Sequence, residues 1–191
     1  MNQDRFGIGW RPRLAAGILA NLDRIDLVEV IADDYFHAAH KERRALRTLA
    51  AQTPVTLHGV SLGLASAVPV ERKRLDDMAR LCEEVKPEFW SEHLAFVRGG
   101  GIEIGHLAAP PRTEATIEGA LANLARAKKI VGVAPQVENV ATLIDPPGCD
   151  RDEAAWLSAI VLNSESDLLL DLHNLHANAL NFNFDSHGFL G

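Results

Sequence analysis

The chain has 191 residues, of which 47% are hydrophobic, and its formal net charge is -7. A chain of this size can bury one sizeable core, so we predict a single domain over residues 1–191. Proteins that wrap a nucleic-acid backbone carry a basic face, so the acidic excess argues against that class. We therefore expect no nucleic-acid partner.

The two cysteines, Cys82 and Cys149, lie far apart and form no CxxC or CxxH motif. This spacing indicates neither a disulfide framework nor a zinc knuckle, and it fits a reducing compartment. No basic segment followed by an apolar run opens the chain, and no window approaches the roughly 18 apolar residues of a membrane helix. The sequence predicts a cytoplasmic protein that does not bind a membrane.

Short apolar runs, typical of buried strands, alternate along the chain with longer segments of helical periodicity. Strands are predicted at 6–9, 27–31, 55–60, 89–94, 135–140 and 168–172. Helices are predicted at 13–22, 41–51, 71–85, after Thr113 as N-cap, and 152–161. This βα alternation favours an α/β fold with parallel strands and helices on both faces of the sheet.

One glycine cluster interrupts the alternation. Gly99, Gly100 and Gly101 separate two short extended pieces within 97–104, which predicts a hairpin after the fourth strand. Neither GxxxxGK[ST] nor GxGxxG occurs there, so the glycines do not indicate a phosphate loop.

Four of the predicted strands carry, within two residues of their carboxyl ends, a residue that can bind a metal ion: His58, His93, Glu138 and Asp171. The carboxyl ends of parallel strands meet on one face of the sheet, so we expect these side chains within about 10 Å of one another. Two imidazoles and two carboxylates suit a transition metal with mixed nitrogen and oxygen ligands, such as iron, manganese or zinc. Arg11 is expected at the mouth of the same site.

Each of these residues also has an ordinary structural interpretation. A lone histidine at a strand end is more often a hydrogen-bonding residue than a ligand. Glu138 and Asp171 lie in apolar runs, where an unpaired carboxylate is costly, but a salt bridge to Arg or Lys would also stabilise them. The occurrence of all four residues at successive strand ends favours the metal site.

The segment after the sixth strand is dense in polar side chains, and Asp171, His173 and Asn174 are the candidate catalytic residues. If the strand persists to residue 173, Asp171 and His173 lie on the same side. In the alternative, Asp and Asn side chains organise a turn or the start of a helix. The sequence leaves both open.

Five motifs together resemble the multinuclear iron-dependent oxidative enzymes, the family of MbnB, TglH and ChrH. They are Gly-Ile-Gly-Trp-Arg-Pro at 7–12, His-Gly-Val-Ser-Leu at 58–62, Ser-Glu-His-Leu at 91–94, Glu-Asn at 138–139 and Asp-Leu-His-Asn at 171–174. The resemblance runs through nearly the whole chain, and the second and third motifs are fairly specific.

The resemblance implies a xylose-isomerase-like TIM barrel with two or three iron ions at the carboxyl ends of the strands. It places His58, His93, Glu138 and Asp171 at ligand positions, and Asn174 at a ligand position or beside one. It further implies that cysteine residues of a peptide are oxidised by dioxygen, and that a partner protein binds the leader of that peptide. Iron with open positions suits this chemistry, which side chains alone do not provide.

Length is the main departure from this family, because its members continue for roughly two more βα units. A complete barrel takes about 200 to 250 residues, which is more than the 191 of this chain. We therefore predict an incomplete TIM-type (β/α) barrel with about six of eight units. Its metal site would be partial, and the chain would be part of a longer protein or form a homodimer. The alternatives are a divalent-metal isomerase or hydrolase that uses Zn or Mn, and a binding scaffold without catalysis.

Overall fold

The structure, a computed structural model, describes residues 4–190; residues 1–3 and 191 of the predicted domain lie outside the described part. Its strands are β1 (Gly7–Gly9), β2 (Leu27–Ile31), β3 (Val55–Gly59), β4 (Trp90–His93), β5 (Phe96–Gly99), β6 (Ile102–Ala108), β7 (Gln136–Glu138) and β8 (Leu168–Leu169). Six of them form one sheet in the order β1-β2-β3-β4-β7-β8, with all neighbours parallel. The strands of this sheet therefore follow one another in chain order.

Helices connect these strands: α1 (Ala15–Leu19), α2 (His40–Ala50), α3 (Arg72–Val85), α4 (Glu114–Val131), α5 (Glu153–Leu162), α6 (Leu172–Phe182) and α7 (Ser186–Leu190). A parallel sheet wound in chain order by helical crossovers is the winding of a (β/α) barrel. The sheet curls into a half-barrel of six strands, which confirms the predicted fold class.

Within residues 4–190, none of the helices is both long enough and apolar enough to cross a lipid bilayer.

The centre of the sheet is its most buried part. All five residues of β3 are buried, and so are the first three residues of β4. Trp90 at the start of β4 is 0% exposed, and its indole Nε1 donates to the carbonyl of Val133 at 3.1 Å. Such burial on both faces is expected for central strands of a parallel sheet. The outer strand β1 is largely exposed.

The predicted glycine hairpin is also confirmed. β5 and β6 pair antiparallel, and Gly100 and Gly101 between them adopt φ values of 57° and 80°. Residues with a side chain rarely adopt this left-handed conformation, so the turn favours glycine at both positions.

Two predicted elements differ from the structure. The sixth strand was predicted at 168–172, but β8 ends at Leu169 and α6 begins at Leu172. Asp171 is the N-cap of α6, because its Oδ1 accepts hydrogen bonds from the backbone N–H of His173 (2.7 Å) and Asn174 (2.9 Å). Of the two alternatives left open for this segment, the structure therefore shows the helix start, and Asp171 and His173 do not share one side of a strand: N-cap hydrogen bonds start a helix despite the preceding apolar run.

The first predicted helix, 13–22, is likewise broken into shorter pieces. The structure has a 3-10 turn at Pro12–Leu14, then α1, then a second 3-10 turn at Leu22–Arg24. The side chain of Asn21 donates to the carbonyl of Gly17 at 2.8 Å, which replaces a backbone partner at the end of α1. The other four predicted helices begin where expected to within one residue.

The segment 64–70 after β3 is held by two residues of α4. Asn123 is 2% exposed. Its Nδ2 donates to the carbonyls of Leu64, Ser66 and Val68 (3.2, 2.9 and 3.1 Å), and its Oδ1 accepts from the N–H of Val70 at 2.9 Å. One turn earlier, a Cβ at Gly119 would lie 2.7 Å from the Ser66 carbonyl oxygen. Helix α4 therefore fixes the backbone that leaves the carboxyl end of β3.

Replacing Asn123 with Ala should lower the free energy of unfolding by about 3 kcal/mol or more, because several buried backbone groups lose their partner. Chemical denaturation followed by circular dichroism measures this loss. Asn163→Ala is the matched control, since Nδ2 of Asn163 donates to one carbonyl, that of Ala159, at the exposed end of α5. We expect the control to lose less than about 1 kcal/mol. Equal losses would contradict the bracing role of Asn123.

Candidate metal centre

A cavity of about 450 Å³ opens at the carboxyl ends of the parallel strands. Its polar lining consists of Arg11, Glu29, His58, His93, Glu138 and Asp171. The structure thus places all four strand-end candidates around one cavity on one face of the sheet, with Arg11 beside them.

His58, His93 and Glu138 form the centre of this group. Nε2 of His58 lies 3.4 Å from Oε2 of Glu138, and Nε2 of His93 lies 3.6 Å from the same oxygen. One ligand atom of each residue lies within 4.8 Å of the others. The two imidazole rings meet edge to face, with centroids 4.6 Å apart. Two nitrogens and one oxygen therefore converge as they do in sites for zinc or iron.

Strand register explains the convergence. His93 is paired directly with Glu138 across β4 and β7, and His58 is paired with Ser91 across β3 and β4. These three strands are neighbours in the sheet, so the ligand atoms are brought together by short, buried elements.

The surroundings of His58 favour its neutral form. Its Nδ1 is 2.8 Å from the hydroxyl oxygen of Ser91, so Nε2 is the nitrogen that faces Glu138. Burial first, and then the positive charge of His93, lower the pKa of His58 to about 4. A neutral imidazole is the form that binds metal.

Glu138 is a buried carboxylate whose ionisation is opposed. Burial is the main reason that its pKa rises to about 7, and the carboxylates of Asp171 and Glu29 add to this rise against the influence of His93. Within residues 4–190, the ion-pair partners of Glu138 are His58 and His93, and Glu138 forms no salt bridge to Arg or Lys. The donor set fits a divalent cation, which would stabilise the ionised carboxylate.

The pKa of His93 is subject to opposing effects. Burial lowers it, but contacts with the carboxylates of Glu92 and Glu138 outweigh burial, and the net pKa is raised. The two histidines of the cluster therefore differ in their electrostatic surroundings.

Two further carboxylates lie at this centre, and the sequence analysis did not select them. Glu29 on β2 lines the cavity; burial raises its pKa, and Arg11 opposes that rise. Glu92 on β4 is 0% exposed, directly before His93. Glu29 lies within an apolar strand, as Glu138 does, and that signal could have identified it. The position of Glu92 within its strand carried no such signal.

Asp171 lines the cavity as expected, and its backbone is held by Asn139. The N–H of Asp171 donates to Oδ1 of Asn139 at 2.8 Å, and Nδ2 of Asn139 donates to the carbonyl of Asp171 at 3.1 Å. This reciprocal pair ties the end of β8 to the end of β7 and fixes the carboxylate of Asp171 near Glu138.

His173 and Asn174 lie on the first turn of α6, away from the three-residue cluster. His173 is exposed, and Nδ2 of Asn174 donates to the carbonyl of Asn139 at 2.9 Å. Among the described residues, neither His173 nor Asn174 lines the cavity. The structure therefore brings together four of the six candidate residues and places the other two on α6, outside the cavity lining.

Solved structures share this architecture. A D-psicose 3-epimerase from Clostridium cellulolyticum aligns with a TM-score of 0.61 and 14% identity, over 91% of this chain and 65% of that one. Endonuclease IV from Thermus thermophilus aligns with a TM-score of 0.57 and 18% identity, over 98% of this chain and 70% of that one. At these identities the likeness shows the xylose-isomerase-like TIM-barrel fold alone.

Sequence relatives are closer, and they are named only as UPF0276 proteins. One from Streptomyces avermitilis is 36% identical over 182 residues, which is 92% of this chain and 37% of the relative. One from Rhizorhabdus wittichii is 32% identical over 195 residues, which is 100% of this chain and 69% of the relative. The chain therefore spans between 37% and 69% of the length of these two relatives.

A family model described as RiPP precursor modification enzyme MbnB/TglH/ChrH matches residues 5–191. This match covers nearly the whole chain, including every residue of the cluster. The chain belongs to the MbnB/TglH/ChrH family.

Proposed function

We propose that the chain is part of an iron-dependent oxidoreductase that uses dioxygen to oxidise cysteine residues of a peptide. The observation that carries the proposal is the convergence of His58 Nε2, His93 Nε2 and Glu138 Oε2 within one cavity. The description of the family supports a precursor peptide as the substrate.

In this proposal His58, His93 and Glu138 hold one iron ion. Asp171, which lies close enough to Glu138 to raise its pKa, contributes to a second or third ion. Asn174 holds the end of β7 beside Asp171, or provides a further ligand. Bound there, iron would supply redox chemistry with dioxygen, which side chains alone do not provide.

The chain's own residues bind and orient the peptide. A cavity of about 450 Å³ accommodates a cysteine side chain with its flanking backbone. Asp171, which lines the cavity, and His173 and Asn174 on the first turn of α6 are the proposed catalytic residues. We place the reaction in the cytoplasm, where the thiols of a peptide stay reduced.

Partners are also part of the proposal. A partner protein that binds the peptide leader would deliver the substrate. Leu168 on the outer strand β8 is 38% exposed, and this edge is the proposed contact of a homodimer.

The second candidate function is a divalent-metal isomerase or hydrolase with Zn or Mn. It is favoured by the donor set itself, because two imidazoles and one carboxylate also form hydrolytic zinc sites. In that case the bound metal would polarise a substrate, and dioxygen would not be consumed.

Replacing His93 with Ala should lower the bound metal markedly, because a shared cluster loses one ligand. Elemental analysis of protein purified anaerobically, without added metal or chelator, measures this. Asp167→Ala is the control: Asp167 is exposed and precedes β8 at the opposite end of the strand, so metal content should not change. Equal loss in both variants would point to misfolding, and zinc without iron in the unmodified protein would favour the second candidate.

Oxygen consumption tests the proposed reaction. An iron-loaded protein that contains this chain, supplied with the leader-binding partner, should consume dioxygen faster with peptides that contain cysteine than with the same peptides carrying serine at that position. An oxygen electrode measures the rate, and titration of free thiols measures the matching loss of substrate. Consumption above the peptide-free rate that is equal with both peptide sets would exclude cysteine as the oxidised residue.

A further inference from the structure

We propose that Glu92 is a positioning residue, whose buried carboxylate accepts a hydrogen bond from Nδ1–H of His93 and so directs Nε2 of that ring toward Glu138. This inference rests on the proposed metal site and identifies a group that orients one of its ligands. Metal-bound histidines commonly donate their other ring nitrogen to a carboxylate, which fixes the tautomer and strengthens the ligand.

The carboxylate of Glu92 is held in place by backbone donors. Oε1 accepts from the N–H of His93 at 2.9 Å, and Oε2 accepts from the N–H of Leu62 at 3.1 Å. The side chain is 0% exposed, so solvent does not compete for these oxygens. Both oxygens therefore act as acceptors in a fixed position next to the imidazole.

The ring of His93 lies between two carboxylates. Its Nδ1 is 3.6 Å from Oε1 of Glu92, and its Nε2 is 3.6 Å from Oε2 of Glu138. Among the described residues, His93 Nδ1 is one of three buried side-chain atoms without a hydrogen-bond partner. The distance to Glu92 is too long for a hydrogen bond, but a shift of about half an ångström would close it.

Gly59 makes room for this carboxylate. It is paired with Glu92 across β3 and β4, and a Cβ at Gly59 would lie 2.7 Å from Oε2 of Glu92. Gly59 therefore leaves the space that the carboxylate of Glu92 occupies beside His93. The motifs at 58–62 and 91–94 interlock here, since Gly59 and Leu62 of the first enclose Glu92 of the second.

Ser91, the preceding residue of β4, supports the other histidine. Its hydroxyl oxygen lies 2.8 Å from Nδ1 of His58. Adjacent residues of one strand thus give one imidazole a hydroxyl neighbour and the other a carboxyl neighbour. A carboxylate partner makes an imidazole a stronger metal ligand, so His93 would be the stronger of the two ligands when Glu92 is ionised.

The backbone carbonyl of Gly59 also favours the protonated ring and raises the pKa of His93. It is therefore the alternative acceptor for the Nδ1–H of His93. If that carbonyl accepts the Nδ1–H, the charge of Glu92 has no part in orienting the ring. Exchanging the carboxylate for an amide separates the two cases.

The first test measures the affinity for Co(II) by competition with a chromophoric chelator. Glu92→Gln should weaken binding by roughly 10- to 100-fold while the circular dichroism spectrum is unchanged. Asp77→Asn is the matched control, because Asp77 is a buried carboxylate on α3 that pairs with Lys73 and Arg80, outside the cavity. An affinity of Glu92→Gln equal to that of the unmodified protein would overturn the inference.

A double-mutant cycle distinguishes orientation of His93 from a general structural role. If Glu92 acts through His93, Glu92→Gln should cause no further loss of Co(II) affinity in a His93→Ala background. A further loss of the same size there would overturn the inference.

Nitrogen-15 NMR of the unmodified protein decides the question even if Glu92→Gln does not fold. His93 should show the Nδ1–H tautomer with a hydrogen-bonded ring proton in Zn(II)-loaded protein, and in metal-free protein at a pH high enough to remove the second ring proton; an Nε2–H tautomer would overturn the inference. If the unmodified protein binds neither Co(II) nor Zn(II), the proposed function fails, while the metal-free spectrum still reports on the contact between Glu92 and His93.

Discussion

The parallel pairing of β3, β4 and β7 is the constraint on which the candidate metal centre depends. It sets His93 directly opposite Glu138 and places His58 one strand away. A slip of one residue would turn these side chains to the other face of the sheet. The burial of β3 and β4 holds the register, so the core of the protein and the geometry of the centre have the same origin.

This placement has an electrostatic cost. Burial raises the pKa of Glu138 to about 7 and lowers the pKa of His58 to about 4, so both groups are held against their charged forms. An apolar side chain at either position would avoid that cost. Polar groups buried at the expense of stability are typical of functional sites, and a divalent cation between these ligands would offset the cost.

Sequence reasoning was sufficient where one residue type at one strand end carried the signal. The parallel βα alternation, the glycine hairpin, and the positions of His58, His93 and Glu138 near strand ends followed from local patterns, whereas the barrel was implied by the family resemblance. The start of α6 stayed one of two alternatives because the apolar run 168–170 continues directly into a capping residue. A strand pattern does not distinguish a last strand residue from an N-cap.

Glu92 was missed for a different reason. Strand alternation turns it away from His93, and its carboxylate returns to the ring through two backbone hydrogen bonds and the space left by Gly59. Such a contact depends on how two strands and the loop after β3 fit together. The same applies to Asn123, whose four hydrogen bonds reach a segment more than fifty residues earlier in the chain.

Anomalous X-ray diffraction from crystals of anaerobically purified protein tests the central claim most directly. An anomalous difference peak that is strong above the iron absorption edge and weak below it should lie about 2.0 to 2.2 Å from His58 Nε2, His93 Nε2 and a carboxylate oxygen of Glu138. Iron bound elsewhere in the crystal, with no peak between these three residues, would contradict the account.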